Sequence, residues 1–151
     1  MRSLSRAAAS VTLLGAAWLG CRAPTASSSL EHPTVAEVEA YHARWASHGL
    51  SSYSFTYAFD GNTALAGQRI RLAVRLDTVR SAVVLSTNTV LDATGFPTVD
   101  TLFAIAIGAA SRDSLRFIAF DPTYDFPDSL DIVGIPDGLT SVSATALQPS
   151  P

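Results

Sequence analysis

Four aspartates crowd one short stretch near the end of the sequence: Asp121, Asp125, Asp128 and Asp131. Carboxylate oxygens gathered on a loop are the hard ligands that calcium prefers, but the spacing lacks the alternating ligands, central glycine and terminal glutamate of an EF-hand loop. A simpler interpretation is a turn in which Asp121 bonds its own backbone and Pro122 fixes the next φ. We predict no metal site, and we keep Asp121, Tyr124 and Asp125 as candidate binding residues.

Three arginines, Arg69, Arg71 and Arg75, alternate with apolar residues and fall on one face of a predicted strand. Neighbours two apart on such a face lie about 7 Å from each other. A row of guanidinium groups could bind a phosphate, a sulfate or the carboxylates of a partner. The alternative is a solvated outer face that keeps the sheet soluble and blunts its edge. We keep both interpretations.

The residue types and spacings of catalytic sites are missing from the sequence. The three histidines are His32, His42 and His48, and there is no Gly-x-Ser-x-Gly elbow, P-loop, dinucleotide fingerprint or HExxH motif. We therefore predict that the chain is not an enzyme, has no catalytic residues and needs no cofactor. An enzyme with an unrecognised site in the aspartate hairpin 121–131 remains the alternative.

The only cysteine, Cys21, follows an export signal. Residues 1–20 carry Arg2 and Arg6 ahead of about a dozen apolar or small residues, which is typical of a signal peptide. The segment resembles a bacterial lipoprotein signal, with Gly20 and Cys21 matching and Trp18 and Leu19 departing from the pattern. The resemblance implies that Cys21 is lipidated on its sulfur. Two acyl chains anchor a protein stably to a membrane.

Composition limits the classes of function. With 151 residues, 48% of them hydrophobic and 15% charged, the chain suffices for one folded domain. All ten basic residues are arginines, set against 13 acids, so we predict no nucleic-acid partner. Without residues 1–20 the chain keeps eight arginines against those 13 acids, a net charge of −5. A single cysteine leaves no disulfide within the chain.

Hydrophobic periodicity predicts the elements of this domain. Thr34 and Glu37 have the spacing of a capping box before a helix that ends near Gly49, and Thr98 caps a second helix. Alternating segments predict strands at 53–59, 69–76, 79–87, 115–120 and 129–133, with a sixth at 139–147. The order α-βββ-α-ββ(β) is that of an α+β domain with two helices on one face of a mostly antiparallel, five- or six-stranded sheet.

The predicted strand at 53–59 carries a row of aromatic side chains on one face: Tyr53, Phe55, Tyr57 and Phe59. Such a row could line a ligand groove under the helices. More simply, it fills the core between helices and sheet. Domain boundaries follow from these elements. We predict a signal peptide at 1–20, a lipidated cysteine with a flexible tether at 21–33, one domain at 34–148 and a disordered tail at 149–151.

Three stretches are together similar to the bacterial lipoproteins of domain of unknown function family 6174. They are Trp45 with 49–57, then 97–103, then the Asp-Pro-Thr-Tyr turn within 120–132, and the likeness spans roughly residues 40–148. The resemblance implies fold and location but no reaction or ligand. Many relatives carry a cysteine pair after the first strand and an Asp-Glu pair near the end, which this chain lacks.

These observations predict an exported lipoprotein held through Cys21 at an extracytoplasmic membrane surface, in the periplasm or on the outer surface of the cell envelope. We expect its domain to be a non-catalytic module that binds a small ligand or an envelope protein. Besides the enzyme alternative, a purely structural or inhibitory surface protein is the other candidate. A flat apolar patch without a cleft would favour that one.

Overall fold

In the computed structural model, which describes residues 27–60, 64–133 and 141–150, both predicted helices begin at a threonine. Helix α1 spans Val35–Ser47 and α2 spans Val99–Ala110. The Thr34 hydroxyl accepts from the Glu37 N–H at 3.3 Å, and the Glu37 carboxylate accepts from the Thr34 N–H at 2.8 Å. This capping box confirms the predicted start of α1, and the Thr34 backbone N–H lowers the pKa of Glu37.

Eight described strands form one antiparallel sheet in the order β1-β6-β7-β8-β2-β3-β4-β5. The strands are β1 (Ser28–Glu31), β2 (Tyr53–Asp60), β3 (Ile70–Arg75), β4 (Thr78–Val84), β5 (Val90–Leu91), β6 (Leu115–Phe120), β7 (Pro127–Ile132) and β8 (Ser141–Pro149). The predicted α+β class with two helices is confirmed. The predicted sixth strand is present as β8.

The predicted number of five or six strands is wrong, because the sheet gains a short strand at each edge. At one edge, β1 lies within the segment predicted as a tether (21–33) and pairs with β6. At the other edge, β5 has only two residues, which is too few for any periodicity to be read from the sequence. Pro149, predicted to lie in a disordered tail, instead pairs with Tyr53 of β2.

Both helices lie on the same face of the sheet. The ring of Phe120 in β6 stacks on Tyr41 of α1 at 3.5 Å and on Phe103 of α2 at 6.4 Å between centroids. The aromatic row of β2 faces the same side, with its first three members buried and Phe59 half-buried in the core. The row is therefore part of the core, as the simpler interpretation predicted.

Three connections and two helix ends meet at one end of the sheet. The N–H of Asp77, in the β3–β4 turn, donates to the carbonyl of Ser51, in the α1–β2 loop, at 3.0 Å. Trp45, near the end of α1, packs edge-on against Phe126, which follows the β6–β7 turn, at 6.2 Å. The phenol of Tyr53 accepts from the first N–H of α2, that of Val99, at 3.0 Å. These contacts bring together segments far apart in the sequence.

Neither described helix is long and apolar enough to cross a membrane.

Candidate functional site

A cleft of about 450 Å³ opens at the end of the sheet where these connections meet, and we call this the cleft end. It lies between the C-terminal end of α1, the α1–β2 loop, the β3–β4 turn and the N-terminus of α2. Its lining residues are Trp45, Ala46, Gly49, Leu50, Ser51, Asp77, Thr98 and Asp100. The walls thus combine apolar side chains with two carboxylates, the combination that small-molecule sites commonly use.

The backbone shapes this cleft at Gly49. Its φ is +63°, in the left-handed region where glycine is unstrained, and it lets the chain leave α1 at the predicted position. A Cβ added there would meet no atom within 4 Å, so the glycine serves the turn and not a close contact. Across the cleft, Leu76 and Asp77 both have positive φ, as a two-residue hairpin turn requires.

The two carboxylates act on one buried phenol. Burial raises the pKa of Tyr53 well above its ordinary value, and the negative charges of Asp100 and Asp77 raise it further, against the opposing hydrogen bond from Val99. Tyr53 therefore stays protonated at neutral pH. Asp77 in the β3–β4 turn and Asp100 in the first turn of α2 thus bring two carboxylates to the cleft from separate segments.

Asp100 is partly engaged and Asp77 is not. The Asp100 carboxylate lies 3.0 Å from Nε2 of His42 on α1, whose ring packs on Phe103 at 4.7 Å. These two contacts join α1 to α2, so the role of His42 is to pair the two helices. In the described part of the chain, no hydrogen bond or ion pair reaches the carboxylate of Asp77. It can accept a donor from a ligand without losing a contact of the fold.

The aspartate hairpin has the Asx turn that the simpler interpretation predicted. The Asp121 carboxylate accepts from the N–H groups of Thr123 and Tyr124, both at 2.8 Å. The Asp121 carbonyl accepts from the N–H of Asp125 at 3.0 Å, and Asp125 takes the left-handed conformation at φ +59°. Asp121 therefore stabilises its own turn.

This turn docks on the C-terminal end of α1. Nε of Arg44 donates to the Asp125 carboxylate at 3.0 Å while the guanidinium lies over the ring of Tyr41 at 3.7 Å. His48 contacts the other Asp125 oxygen at 3.8 Å and meets the Tyr124 ring edge-on at 5.5 Å. The candidate residues Asp121, Tyr124 and Asp125 are thus brought together, and each one has a partner within the fold.

Asp128 follows the turn as the second residue of β7. It is half-buried in β7, and burial raises the pKa of its carboxyl, with a further contribution from the charge of Asp121. Across the described residues, no three histidine, cysteine or acidic side chains are grouped so that they could hold a metal ion. The four aspartates of the hairpin therefore do not form such a group.

The arginine row lies on the opposite face of the sheet from both helices. Arg71 and Arg75 alternate with buried residues along β3, and Arg69 precedes the strand. Arg69 and Arg75 are exposed, whereas Arg71 is half-buried and its Nε has neither solvent contact nor a hydrogen-bond partner. The structure does not bring this row near the aspartate hairpin, because β2 and β8 separate β3 from β7.

Cys21, the predicted lipidation site, lies outside the described residues. No sequence pattern marks Asp77 and Asp100 as cleft residues, because a cleft formed by segments far apart in the chain has no fixed spacing. Only their positions offered a hint, since Asp77 occupies a predicted turn and Asp100 follows the predicted cap Thr98.

The family of unknown function DUF6174 has a sequence model that matches residues 37–137. The match begins in the first turn of α1 and includes α2, β2–β7 and every residue that lines the cleft. No curated protein and no solved structure matches the chain. Since the matched segment covers about two thirds of the sequence, the chain belongs to the DUF6174 family.

Proposed function

We propose that the protein is an exported lipoprotein, anchored through Cys21 at an extracytoplasmic surface of the cell envelope, whose domain binds a ligand without catalysing a reaction. The anchor rests on the sequence: an n-region with Arg2 and Arg6, a short apolar run, and Gly20-Cys21. That run is too short to span a bilayer core of about 30 Å, which takes roughly 20 apolar residues. A cleavable signal therefore explains it better than a transmembrane helix.

The cleft is the observation that carries the binding role. Its volume of about 450 Å³ suits a small molecule or one large side chain of a partner. Leu50 and Trp45 offer an apolar wall, and Asp77 and Asp100 supply negative charge at the rim. An ammonium or amidinium group joined to an apolar body matches this lining.

The two alternatives gain less support. A structural or inhibitory surface protein would be favoured by a flat apolar patch. In the described part of the chain the exposed large apolar residues lie at three separate places: Leu76 in the β3–β4 turn, Leu85 and Val90 beside the β4–β5 turn, and Val133 after β7. An enzyme at the aspartate hairpin would need free carboxylates with perturbed pKa values in a cleft. Burial raises the pKa of Asp128 there, but Asp128 does not line the cleft, and Asp121 and Asp125 already have partners in the fold.

Labelling with radioactive palmitate tests the anchor. The wild-type protein, expressed with its own signal in a bacterium that processes lipoproteins, should incorporate label and enter the membrane fraction. Cys21→Ser should do neither. An unlabelled wild-type chain that still carries residues 1–20 and stays in the cytosol would contradict the anchor.

Thermal shift with benzamidine and benzylamine tests the cleft. Both probes join a positive group to an apolar ring, and we expect each to raise the Tm of the wild-type domain further as its concentration rises above the Kd. The double variant Asp77→Asn with Asp100→Asn should lose the shift. Asp113→Asn is a control that removes a negative charge outside the cleft, beyond the C-terminal end of α2. Equal shifts in all three proteins would contradict binding in the cleft.

A further inference from the structure

The folded sheet begins only seven residues after the predicted lipidation site, and this limits how the domain can sit on a membrane. Ser28, the first residue of β1, pairs with Phe120, the last residue of β6. The chain from Cys21 therefore reaches the sheet beside the β6–β7 turn, at the cleft end. Even fully extended, the seven steps from Cys21 to Ser28 span about 25 Å at most.

Several contacts hold β1 in place and set this limit. The Tyr41 phenol donates to the Ser28 hydroxyl at 2.7 Å, Leu30 packs against the core, and the His32 N–H donates to the Arg116 carbonyl at 2.9 Å. If the sheet began only after α1, the connection from Cys21 to Thr34 could reach about 45 Å. A connection of that length would allow the domain to rotate freely relative to the membrane, whereas the connection from Cys21 to Ser28 restricts the rotation.

The dimensions of the sheet exceed the reach of the connection. The eight residues of β2 extend about 26 Å along the strand direction, and the seven spacings between eight strands add up to about 34 Å across the sheet. The β4–β5 turn lies at the opposite end and the opposite edge from Ser28, so its distance from Ser28 is about 40 Å. A domain held at Ser28 can therefore bring the corner around Ser28 to the bilayer more readily than the β4–β5 turn.

We propose that the corner formed by Ser28, the β6–β7 turn and the C-terminal end of α1 is the membrane-facing surface of the lipidated protein, an orientation that rests on the proposed anchor at Cys21. The corner presents Arg44, His48, Thr123 and Tyr124, with Asp125 offsetting the charge of Arg44. Such a balanced polar surface with an aromatic edge suits contact with lipid headgroups. The tether supplies a high local concentration of lipid, so the corner needs little affinity of its own.

The orientation has a consequence for the cleft. The cleft and the chain entry share the cleft end, so the cleft opens toward the membrane side. The β4–β5 turn and the far edge of the sheet then project into the envelope space.

Energy transfer from the protein to labelled lipids tests this orientation. Lipidation consumes the Cys21 thiol, so a cysteine introduced by Thr123→Cys or by Ser86→Cys is the single free thiol of the mature protein. Both positions are exposed, one in the β6–β7 turn and the other just after β4. Each protein is labelled with a donor dye and incorporated into phosphatidylethanolamine–phosphatidylglycerol vesicles that carry an acceptor on the headgroups.

We expect transfer from position 123 to be clearly more efficient than transfer from position 86. A 30-residue Gly-Ser insertion after Ala26 should remove most of the difference, because the reach then exceeds the size of the domain. Equal transfer from both positions in vesicle-bound protein with the native connection would overturn the orientation alone. Failure of the wild-type protein to float with vesicles would overturn the anchor and, with it, the orientation.

Discussion

Two acidic regions lie at the cleft end of this domain, and they use their carboxylates in opposite ways. In the β6–β7 turn, Asp121 accepts two backbone N–H groups and Asp125 pairs with Arg44. In the cleft, Asp100 shares one contact with His42, and in the described part of the chain nothing donates to Asp77. Each of the two regions has two acids, yet more of the hydrogen-bonding capacity of the carboxylates in the cleft is left for a ligand.

Closely spaced acids in a sequence therefore do not by themselves identify a binding site. A carboxylate close to backbone N–H groups in its own turn is satisfied locally, so it stabilises the fold. A carboxylate that tertiary contacts place at the rim of a cleft keeps its lone pairs free. Substitutions in the turn should therefore reduce stability, and substitutions in the cleft should reduce binding.

The largest effect is expected at Phe126, which is 1% exposed and packs between the turn and Trp45. Phe126→Ala should lower the free energy of unfolding by about 3–5 kcal/mol, as truncation of a buried aromatic ring usually does. Urea denaturation followed by tryptophan fluorescence measures the change. Leu50→Ala, at the half-buried wall of the cleft, is the comparison and should cost less. If Leu50→Ala lowered the free energy of unfolding more than Phe126→Ala, the cleft and not the turn would contribute more to stability.

A smaller loss of stability is expected for Asp121→Ala, about 1–2 kcal/mol, because two N–H groups lose their shared acceptor. Asp121→Asn keeps a side-chain carbonyl at the same place and should retain most of the stability. Thermal unfolding of the three proteins at neutral pH tests this. If both substitutions had the same cost, the negative charge and not the hydrogen bonds would stabilise the turn.

The double variant Asp77→Asn with Asp100→Asn should change the free energy of unfolding by less than about 1 kcal/mol, since these side chains are at the surface of the cleft. Its binding of benzamidine should nevertheless be lost. Isothermal titration of the probe beside urea denaturation of the same sample separates the two quantities. Strong destabilisation with binding retained would show that the cleft acids serve the fold after all.

The smallest effect concerns pH and Asp128. The pKa of this carboxyl is raised in the folded protein, so its protonated form favours folding. That contribution is present below the unfolded value, near 3.8, and is lost as the pH rises through the folded value. Asp128→Asn should therefore be more stable than the wild type at pH 7, by a few tenths of a kcal/mol.

At pH 3 the Asp128→Asn variant and the wild type should unfold at nearly the same denaturant concentration, because both side chains are then neutral. Urea midpoints at the two pH values provide the measurement. A variant less stable than the wild type at pH 7 would mean that the charged form of Asp128 helps the fold. Asp128 would then stabilise the fold, as Asp121 and Asp125 in the neighbouring turn do.

Local sequence patterns were sufficient to predict the two helices and the longer strands. The capping box at Thr34 and Glu37, the cap at Thr98 and the alternating strands all act over a few residues, so they can be read without knowledge of the rest of the chain. The two edge strands could not be found in this way. β1 has four residues and β5 has two, and each becomes a strand only because a neighbour offers unpaired backbone groups.

The class of fold, the turn of Asp121 and the family follow from local sequence patterns, since each depends on residues close together along the chain. Three-dimensional packing was needed to show that Asp77 and Asp100 share a cleft, that the arginine row lies apart from the aspartates, and that the described sheet begins at Ser28. Those facts depend on which distant segments pack side by side. Local spacing holds no information about that packing, because it is fixed by burial of the whole core.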